Sequence, residues 1–533
     1  MFNHVRPTDE IPHETTRMPI LLVFLLTAAC LPVPWTDPFG LGPRASVGLT
    51  AAAVLLPLVA AFTLRTWVVR TLSREPGRKV EVGNGYLRLR RLLFFVNLGA
   101  VGLAVVGLGW GKTARESLMI AWDSTTILAP FAELAVPLPY FLIVFGCWLI
   151  YYDAERVLHL PASAGTKSTF WSRAGYFFHH LRQLTLLIGF PIGLFVTQQS
   201  LARLAPELTG DDVYRVASVA AVPVLIIFLP LLIKPLLGLR SLPSGPTRDR
   251  LEALARRLRF RYSDLLVWPT HASVANAMIV GLVPRVRYVI FTDRVLEEMP
   301  ADELDAVFGH EVGHARHGHI WYYALFLVLS MTVLVATLLV VEAKLRAIAI
   351  EDPSSTPPQF SPENPGWELL PPFALAAGYI FLVFGFLSRL CERQADVFGC
   401  RAVSCGNPDC NGHDVTTAYP ADGTGLCPSG IKTFARALER VGLLNGHSDP
   451  ETARPNPSFG GWIREFLGWV RAWQHSTMPR RIGFLLSLID DRGRERRFQR
   501  RLLVLRWGLV VGLVSALVVL GEVVGWRELL AVM

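Results

Sequence analysis

The sequence predicts a polytopic α-helical membrane protein with a cytoplasmic α+β domain that a transmembrane hairpin interrupts. The chain has 533 residues, of which 52% are hydrophobic and 18% are charged, whereas soluble domains carry about a quarter charged residues. The apolar residues form blocks close to the roughly 20 residues that a helix needs to cross hydrocarbon. Two long polar stretches, 239–319 and 388–501, lie between the later blocks. Together they are long enough to form one domain with its own core.

Nine apolar blocks are candidate transmembrane helices. They lack the alternation of a membrane barrel, so helices are the structure that satisfies their backbone polar groups. The first block is short and contains Pro32 and Pro34, and a signal peptide is the alternative for it. The nine blocks are 19–34, 46–64, 92–110, 134–151, 184–202, 216–238, 320–342, 371–387 and 503–525.

Basic residues in the loops predict the orientation. Segments 65–91 and 153–183 and both long polar stretches are rich in arginine, and the net charge is +9. With nine spans and a cytoplasmic N-terminus, every basic loop lies on the cytoplasmic side, as the positive-inside rule requires. The basic residues therefore indicate a membrane partner and no nucleic acid. The loops poor in basic residues or balanced by acidic ones are 111–133, 203–215 and 343–370.

These features divide the chain into five predicted segments. An N-terminal membrane domain of about six helices comes first, and the two polar stretches are separated by a hairpin. In order, the segments are the membrane domain 1–238, the first part of the polar domain 239–319, the transmembrane hairpin 320–387, the second part 388–501 and a C-terminal helix 502–533.

The sharpest chemical signal is HEVGH, from His310 to His314. Pro300 precedes it at a position that suits a helix start. On a helix the two histidines lie one turn apart on one face, where neutral imidazoles can bind one Zn²⁺. Glu311 beside them can take a proton from a zinc-bound water, whose pKa falls to about 7. The alternative is a polar, solvated helix end.

A tetrahedral catalytic zinc needs a third protein ligand and one open position. The best candidate is Glu392, in LSRLCERQADVFG directly after the eighth block. Asp396 lies one turn later and could fix the tautomer of a ligand histidine. Arg389, one turn earlier, could orient either carboxylate. The alternative is a surface ladder of ion pairs formed by these three residues.

Together these motifs resemble the membrane-bound gluzincin metalloproteases, the family of the CaaX prenyl-protein endopeptidases and the HtpX-type quality-control proteases. The resemblance covers about 240–490 and comprises HExxH, a downstream ExxxD from Glu392 to Asp396, and a transmembrane hairpin between them. It implies a zincin-like α+β metalloprotease domain. It also implies that His310, His314 and Glu392 bind zinc and that Glu311 acts in catalysis.

Two further segments resemble motifs of this family. NAMIVG, from Asn276 to Gly281, is similar to an NAxxxG edge strand, which implies that Asn276 and Ala277 bind substrate. An exposed strand edge can pair with an extended peptide. HSTMPRRI is similar to an HPxxxxRI segment, which implies that His475 and Arg481 contact substrate or the developing oxyanion. A serine replaces the usual proline there.

Five of the seven cysteines lie between Cys391 and Cys427, in the predicted cytoplasmic domain, where disulfides are uncommon. A second, structural zinc site could be built from some of them together with a histidine. Disulfides or free buried thiols are the alternatives. The candidate ligands are Cys400, Cys405, Cys410, His413 and Cys427.

His317 and His319 extend the histidine run. His317 is seven residues from His310, roughly on the same face, and could reach the metal. We favour a place beside the site or at the membrane interface for His317, and a structural place for His319 before the next span.

The sequence therefore predicts a zinc-dependent membrane metalloendopeptidase that hydrolyses peptide bonds of membrane or membrane-associated proteins through a zinc-activated water. A membrane di-iron oxygenase is an alternative, but the histidines after position 400 are too scattered for its histidine boxes. A catalytically degenerate scaffold or receptor is another, and the intact Glu311 argues against it. Prenyl-tail processing and quality control are both compatible with the sequence.

Overall fold

The computed structural model describes the chain in ranges separated by gaps. The described residues are 37–121, 134–159, 170–271, 274–351, 378–410, 412–413, 425–445 and 477–526, together with Leu26, Cys30 and Leu375. They form two compact units, an N-terminal unit that ends at Gly238 and a C-terminal unit that begins at Leu239; the short stretch Ile227–Pro230 groups with the second unit.

The described part of the N-terminal unit is helical. Two π-helical turns, at Leu103–Gly107 and Thr185–Gly189, interrupt the α-helices. The helices are α1 (Pro43–Arg74), α2 (Lys79–Gly102), α3 (Trp110–Ala121), α4 (Leu138–His159), α5 (Arg173–Leu184), α6 (Phe190–Leu204), α7 (Pro206–Gly210) and α8 (Asp212–Leu236).

Four helical segments of the described chain are long and apolar enough to cross a membrane, which supports an integral membrane protein. They contain the predicted blocks 46–64 and 184–202 and most of the blocks 92–110 and 503–525. The blocks 134–151, 216–238 and 320–342 also lie largely in helices. Block 371–387 is helical from Gly378 onward, and block 19–34 is almost wholly outside the described residues. The four segments are Pro43–Arg74, Pro76–Gly107, Arg173–Ala202 and Gly493–Val523.

The C-terminal unit combines a small mixed sheet with helices. Its strands are β1 (Arg240–Ser241), β2 (Asp264–Trp268), β3 (Ala277–Val280) and β4 (Tyr288–Thr292). Its helices are α9 (Pro246–Arg257), α10 (Asp293–Glu298), α11 (Ala301–Arg316), α12 (His319–Glu351), α13 (Gly385–Ala402), α14 (Pro428–Leu444), α15 (Met478–Asp490) and α16 (Arg492–Val524).

The strand order is β1-β2-β4-β3. β2 and β4 are parallel, and the outer strands pair antiparallel with them. All five residues of the central strand β4 are buried, and β3 is an edge strand among the described residues. Buried side chains of the sheet and of α9, α11, α13 and α14 share one apolar core.

One predicted strand begins later than the sequence indicates. The alternation in LRFRYSDLLVW predicts a strand over 258–268, but β2 starts at Asp264. The preceding residues end α9 instead, because Arg259 adopts a left-handed conformation with φ 48°. The N–H groups of Arg259 and Phe260 then donate to the carbonyls of Arg256 and Ala255, at 3.0 and 2.9 Å. This is the hydrogen-bond pattern of a Schellman motif.

Candidate metal centre

Helix α11 carries the HEVGH sequence and is held by ion pairs along its buried side. Glu303, in its first turn, accepts from Arg440 of α14 at 2.6 Å, and Asp305 lies 2.8 Å from Arg250 of α9. Buried carboxylates need such partners. The helix is therefore fixed in rotation, with His310 facing α13.

Three glycines let α11 and α13 approach closely. A Cβ at Gly309 would lie 2.3 Å from the Cβ of Ala402, and one at Gly313 would lie 3.1 Å from the Cα of Ala395. Gly399 on α13 is equally tight, since its Cβ would lie 3.0 Å from a backbone carbonyl of α11. Side chains at these positions would push the helices apart. The glycines therefore set the distance between the histidines of α11 and the carboxylates of α13.

The structure brings His310, His314 and Glu392 together. The Nε2 atoms of the two histidines are 3.2 Å apart, and the Glu392 carboxylate lies 3.7 Å from Nε2 of His310 and 3.5 Å from Nε2 of His314. One ligand atom from each lies within 4.8 Å of the others. Two imidazole nitrogens and one carboxylate oxygen form a donor set that catalytic zinc sites use. The residues present therefore fit a zinc ion.

Asp396 lies behind His310 and is completely buried. Its Oδ1 is 2.9 Å from Nδ1 of His310. Burial alone would raise the pKa of Asp396, but Arg481 and the contact with His310 lower it below its ordinary value. A carboxylate at Nδ1 keeps the proton on that nitrogen and leaves Nε2 as the ligand atom. The ring of His310 also stacks on Phe434 of α14, with centroids 5.7 Å apart.

Arg481 lies beside the two carboxylates of the candidate site. Its guanidinium is buried below the carboxylates, where Nε donates to Asp396 at 2.9 Å and Nη1 lies 3.5 Å from Glu392. Burial would lower the pKa of Arg481, but Asp396, Glu392 and Glu311 raise it above its ordinary value. Arg481 thus contacts both carboxylates, where the sequence predicted Arg389.

Arg389 itself lies in a basic environment. Burial and the charges of Arg393 and Arg480 lower its pKa. Sequence spacing placed Arg389 one turn from Glu392, but the guanidinium that pairs with Glu392 comes from α15, 89 positions further along the chain.

His319 supports His314 in a way that sequence reasoning missed. Gly318, at φ 64°, turns the chain between α11 and α12, and Nδ1 of the buried His319 then lies 3.0 Å from Nδ1 of His314. Its Nε2 is 2.9 Å from Oε1 of Gln394, whose Nε2 donates to Gln499 at 2.5 Å. The available signal was the glycine that breaks the helix one residue before His319.

Of the remaining predicted residues, the structure describes Glu311, Asn276, Ala277 and His317. Glu311 is half-buried on α11 beside His310. Asn276 is exposed and directly precedes β3, which begins at the buried Ala277. The ring of His317 stacks on that of His319, with ring centroids 5.7 Å apart, and His317 is not one of the three candidate ligands. His475 lies outside the described residues.

The cysteine-rich segment forms a second group of candidate ligands. One ligand atom each from Cys405, Cys410, His413 and Cys427 lies within 4.8 Å of the others. Cys400, the fifth sequence candidate, is not part of it. Its side chain is completely buried in the apolar core.

Helix α11 contributes two histidines one turn apart and α13 contributes a glutamate, a donor set that metallopeptidases use for catalytic zinc. Residues 243–413 match the model of peptidase family M48. This match confirms the resemblance to the membrane-bound gluzincins. The matched range includes the histidines, Glu392, the edge strand and part of the cysteine group.

Two curated relatives and one solved structure are also similar. A CAAX prenyl protease 1 homolog of Arabidopsis thaliana is 33% identical over 102 residues, and one of Oryza sativa subsp. japonica is 31% identical over 102 residues. Each match covers 19% of this chain and 24% of the relative, so the matched segment spans about a quarter of these proteins. The crystal structure of S. mikatae Ste24p has a TM-score of 0.47 and 14% identity, covering 83% of this chain and 98% of that chain.

Proposed function

We propose that this protein is a zinc-dependent membrane metalloendopeptidase that hydrolyses peptide bonds of membrane or membrane-associated proteins. The observation that carries the proposal is the meeting of His310, His314 and Glu392 at one point, with Asp396 buried behind the first histidine. This arrangement is built from two helices whose glycines permit close contact. It supports a metal site and argues against a solvated helix end.

The residues around the site have distinct chemical tasks. When bound, zinc supplies a Lewis acid that polarises a peptide carbonyl and acidifies water. The Glu311 carboxylate accepts a proton from the attacking water and returns it to the nitrogen of the leaving amine. Asp396 holds the proton on Nδ1 of His310, and Arg481 fixes the Glu392 and Asp396 carboxylates. Arg481 is thus proposed as a positioning residue.

The edge strand β3 is suited to hold an extended peptide. The Asn276 carbonyl accepts from the N–H of Thr292 at 3.0 Å, so in the antiparallel pair Ala277 and Ile279 direct their backbone groups away from β4. The outward groups of Ala275 are already bound by the Asn445 amide, at 3.1 and 2.7 Å. Among the described residues, the unpaired edge of β3 therefore begins at Ala277. We propose that substrate adds to the sheet there.

The substrate class follows from the membrane helices of the same chain. A site joined to several apolar helices meets peptides that are themselves at the membrane. The two curated relatives are named as CAAX prenyl proteases, so prenylated peptides are the first substrates to test. The positive-inside distribution of arginine supports a cytoplasmic site.

The test compares wild type with Glu311→Gln in detergent and in membrane fractions. General acid–base catalysis contributes about 10² to 10⁴ in rate, so cleavage of a reporter peptide should fall by at least about 100-fold while bound zinc is retained. Proteomics of membrane fractions should show substrates accumulating in the variant. Glu297→Gln changes an exposed glutamate of the same unit and should cleave like wild type. If neither wild type nor Glu311→Gln cleaves the reporter, the scaffold is supported; if both cleave it equally, Glu311 does not act in catalysis.

A further inference from the structure

A second group of metal-binding side chains lies in the C-terminal unit, formed by Cys405, Cys410, His413 and Cys427. One ligand atom from each lies within 4.8 Å of the others. Nδ1 of His413 is 3.2 Å from Sγ of Cys410 and 3.8 Å from Sγ of Cys427. Tetrahedral zinc, with bonds of about 2.3 Å to sulfur and 2.0 Å to nitrogen, separates its ligands by about 3.5 to 3.8 Å. The four atoms therefore fit one ion.

The orientation of His413 is an independent indication of a ligand. Its Nε2 lies 2.9 Å from the backbone carbonyl of Val403. A carbonyl accepts only from a protonated nitrogen, so the proton is on Nε2 and the lone pair of Nδ1 points at the sulfur atoms. A backbone carbonyl at the distal nitrogen is the usual support for a metal-bound histidine.

The sulfur atoms also have the surroundings of metal-bound thiolates. Cys427 precedes α14, and its Sγ accepts from the N–H of Gly430 at 3.3 Å. The N-terminus of a helix favours negative charge. Cys410 lies 3.4 Å from the hydroxyl of Ser429. Cys405, Cys410 and Cys427 form no disulfide in this structure, so no disulfide occupies the group.

The backbone around the group is shaped for close approach. Gly406 has a φ of 78°, and a Cβ at Gly425 would lie 2.6 Å from the Cα of Gly406. The loop that carries Cys405 can therefore lie directly against the segment that precedes Cys427. Ser404 adds a link, since its hydroxyl accepts from the N–H of Cys427 at 3.2 Å.

We infer that Cys405, Cys410, His413 and Cys427 bind a structural zinc ion. With four protein ligands the site is closed, which distinguishes it from the site at His310, where an open position is required. The three cysteines release their thiol protons when the ion binds. The ion ties the end of α13, which carries Glu392 and Asp396, to the start of α14, whose Phe434 stacks on His310.

Metal analysis of the freshly purified full-length protein tests this inference. Wild type should contain two zinc ions per chain. The double variant His310→Ala/His314→Ala should keep one, and Cys405→Ser/Cys410→Ser should lose one. Cys400→Ala changes a neighbouring buried cysteine outside the group and should keep two. One remaining ion in the histidine variant supports the cysteine site whether or not the protein is a protease.

Two measurements remain decisive if the cysteine variant fails to fold. An organomercurial that titrates thiols should release one of the two zinc ions of wild type. In the histidine variant, cobalt in place of zinc should give the intense visible bands of tetrahedral cobalt with thiolate ligands. A histidine variant without metal, or a disulfide between Cys405 and Cys410 in the freshly purified protein, would overturn the inference.

Discussion

His319 is the residue whose role depends most on the folded structure. It contacts the nitrogen of His314 that faces away from Glu392, and Gln394 holds it in turn. Groups in this position commonly change metal affinity by about 10 to 100-fold. We expect His319→Ala to weaken zinc binding about tenfold, measured by competition with a chelator. His319→Gln, which keeps a polar group, should recover part of the affinity.

His317→Ala is the matched control, because its ring stacks on His319 but lies outside the ligand group. It should bind zinc almost as tightly as wild type. If His319→Ala and His317→Ala have the same affinity as wild type, the contact with His319 does not orient His314.

The spacing of residues predicts contacts within one helix better than contacts between helices. HEVGH places His310 and His314 on one face, and ExxxD does the same for Glu392 and Asp396, so both pairs were visible in the sequence. The arginine that pairs with the two carboxylates could not be predicted from spacing. Arg481 comes from α15 and reaches them only after the helices pack. Local spacing pointed to Arg389 instead.

The crossing of α11 and α13 is the element on which the metal site depends. Gly313 has no room for a side chain, since its Cβ would lie 2.9 Å from the Cβ of Phe398. Overpacking of this kind costs about 1 to 3 kcal/mol. Gly313→Ala should therefore lower the thermal stability of the protein and reduce its bound zinc, as the histidines move away from Glu392.

Gly483→Ala provides the control for this substitution. Gly483 lies in α15 with no atom within 4 Å of a Cβ, and alanine favours a helix over glycine by up to about 1 kcal/mol. Stability should be equal or higher, and zinc content should not change. A Gly313→Ala variant with wild-type stability and zinc would show that the close approach is not needed.

At the scale of elements, most of the catalytic sheet could be predicted from alternation and apolar runs. These patterns predict strands at 258–268, 273–280 and 286–291, and the structure has them at 264–268, 277–280 and 288–292. The structure differs at 258–263 because Arg259, just after α9, adopts a left-handed conformation. Residues other than glycine seldom adopt this conformation, so the sequence does not indicate the turn.

At the scale of the whole molecule, the orientation of the chain in the membrane is a prediction. With nine spans and a cytoplasmic N-terminus, residues 239–319 face the cytoplasm and 343–370 face the other side. A membrane-impermeant maleimide applied to intact cells should therefore label Ser354→Cys and leave Ser244→Cys unlabelled. Wild type, with its native cysteines, gives the background, and Ser244→Cys should become labelled after the cells are opened.

Labelling of Ser244→Cys in intact cells would place the site outside the cytoplasm and contradict the orientation that the basic loops predict. The metal site itself would be unaffected by that result, because its geometry lies within the C-terminal unit alone.

The most direct test of the account is an anomalous difference map at the zinc edge from crystals of the zinc-loaded protein. We expect a zinc peak at about 2.0 to 2.2 Å from Nε2 of His310, Nε2 of His314 and a carboxylate oxygen of Glu392. A map with no zinc between these three side chains, or with Glu392 turned away from both histidines, would contradict the central claim.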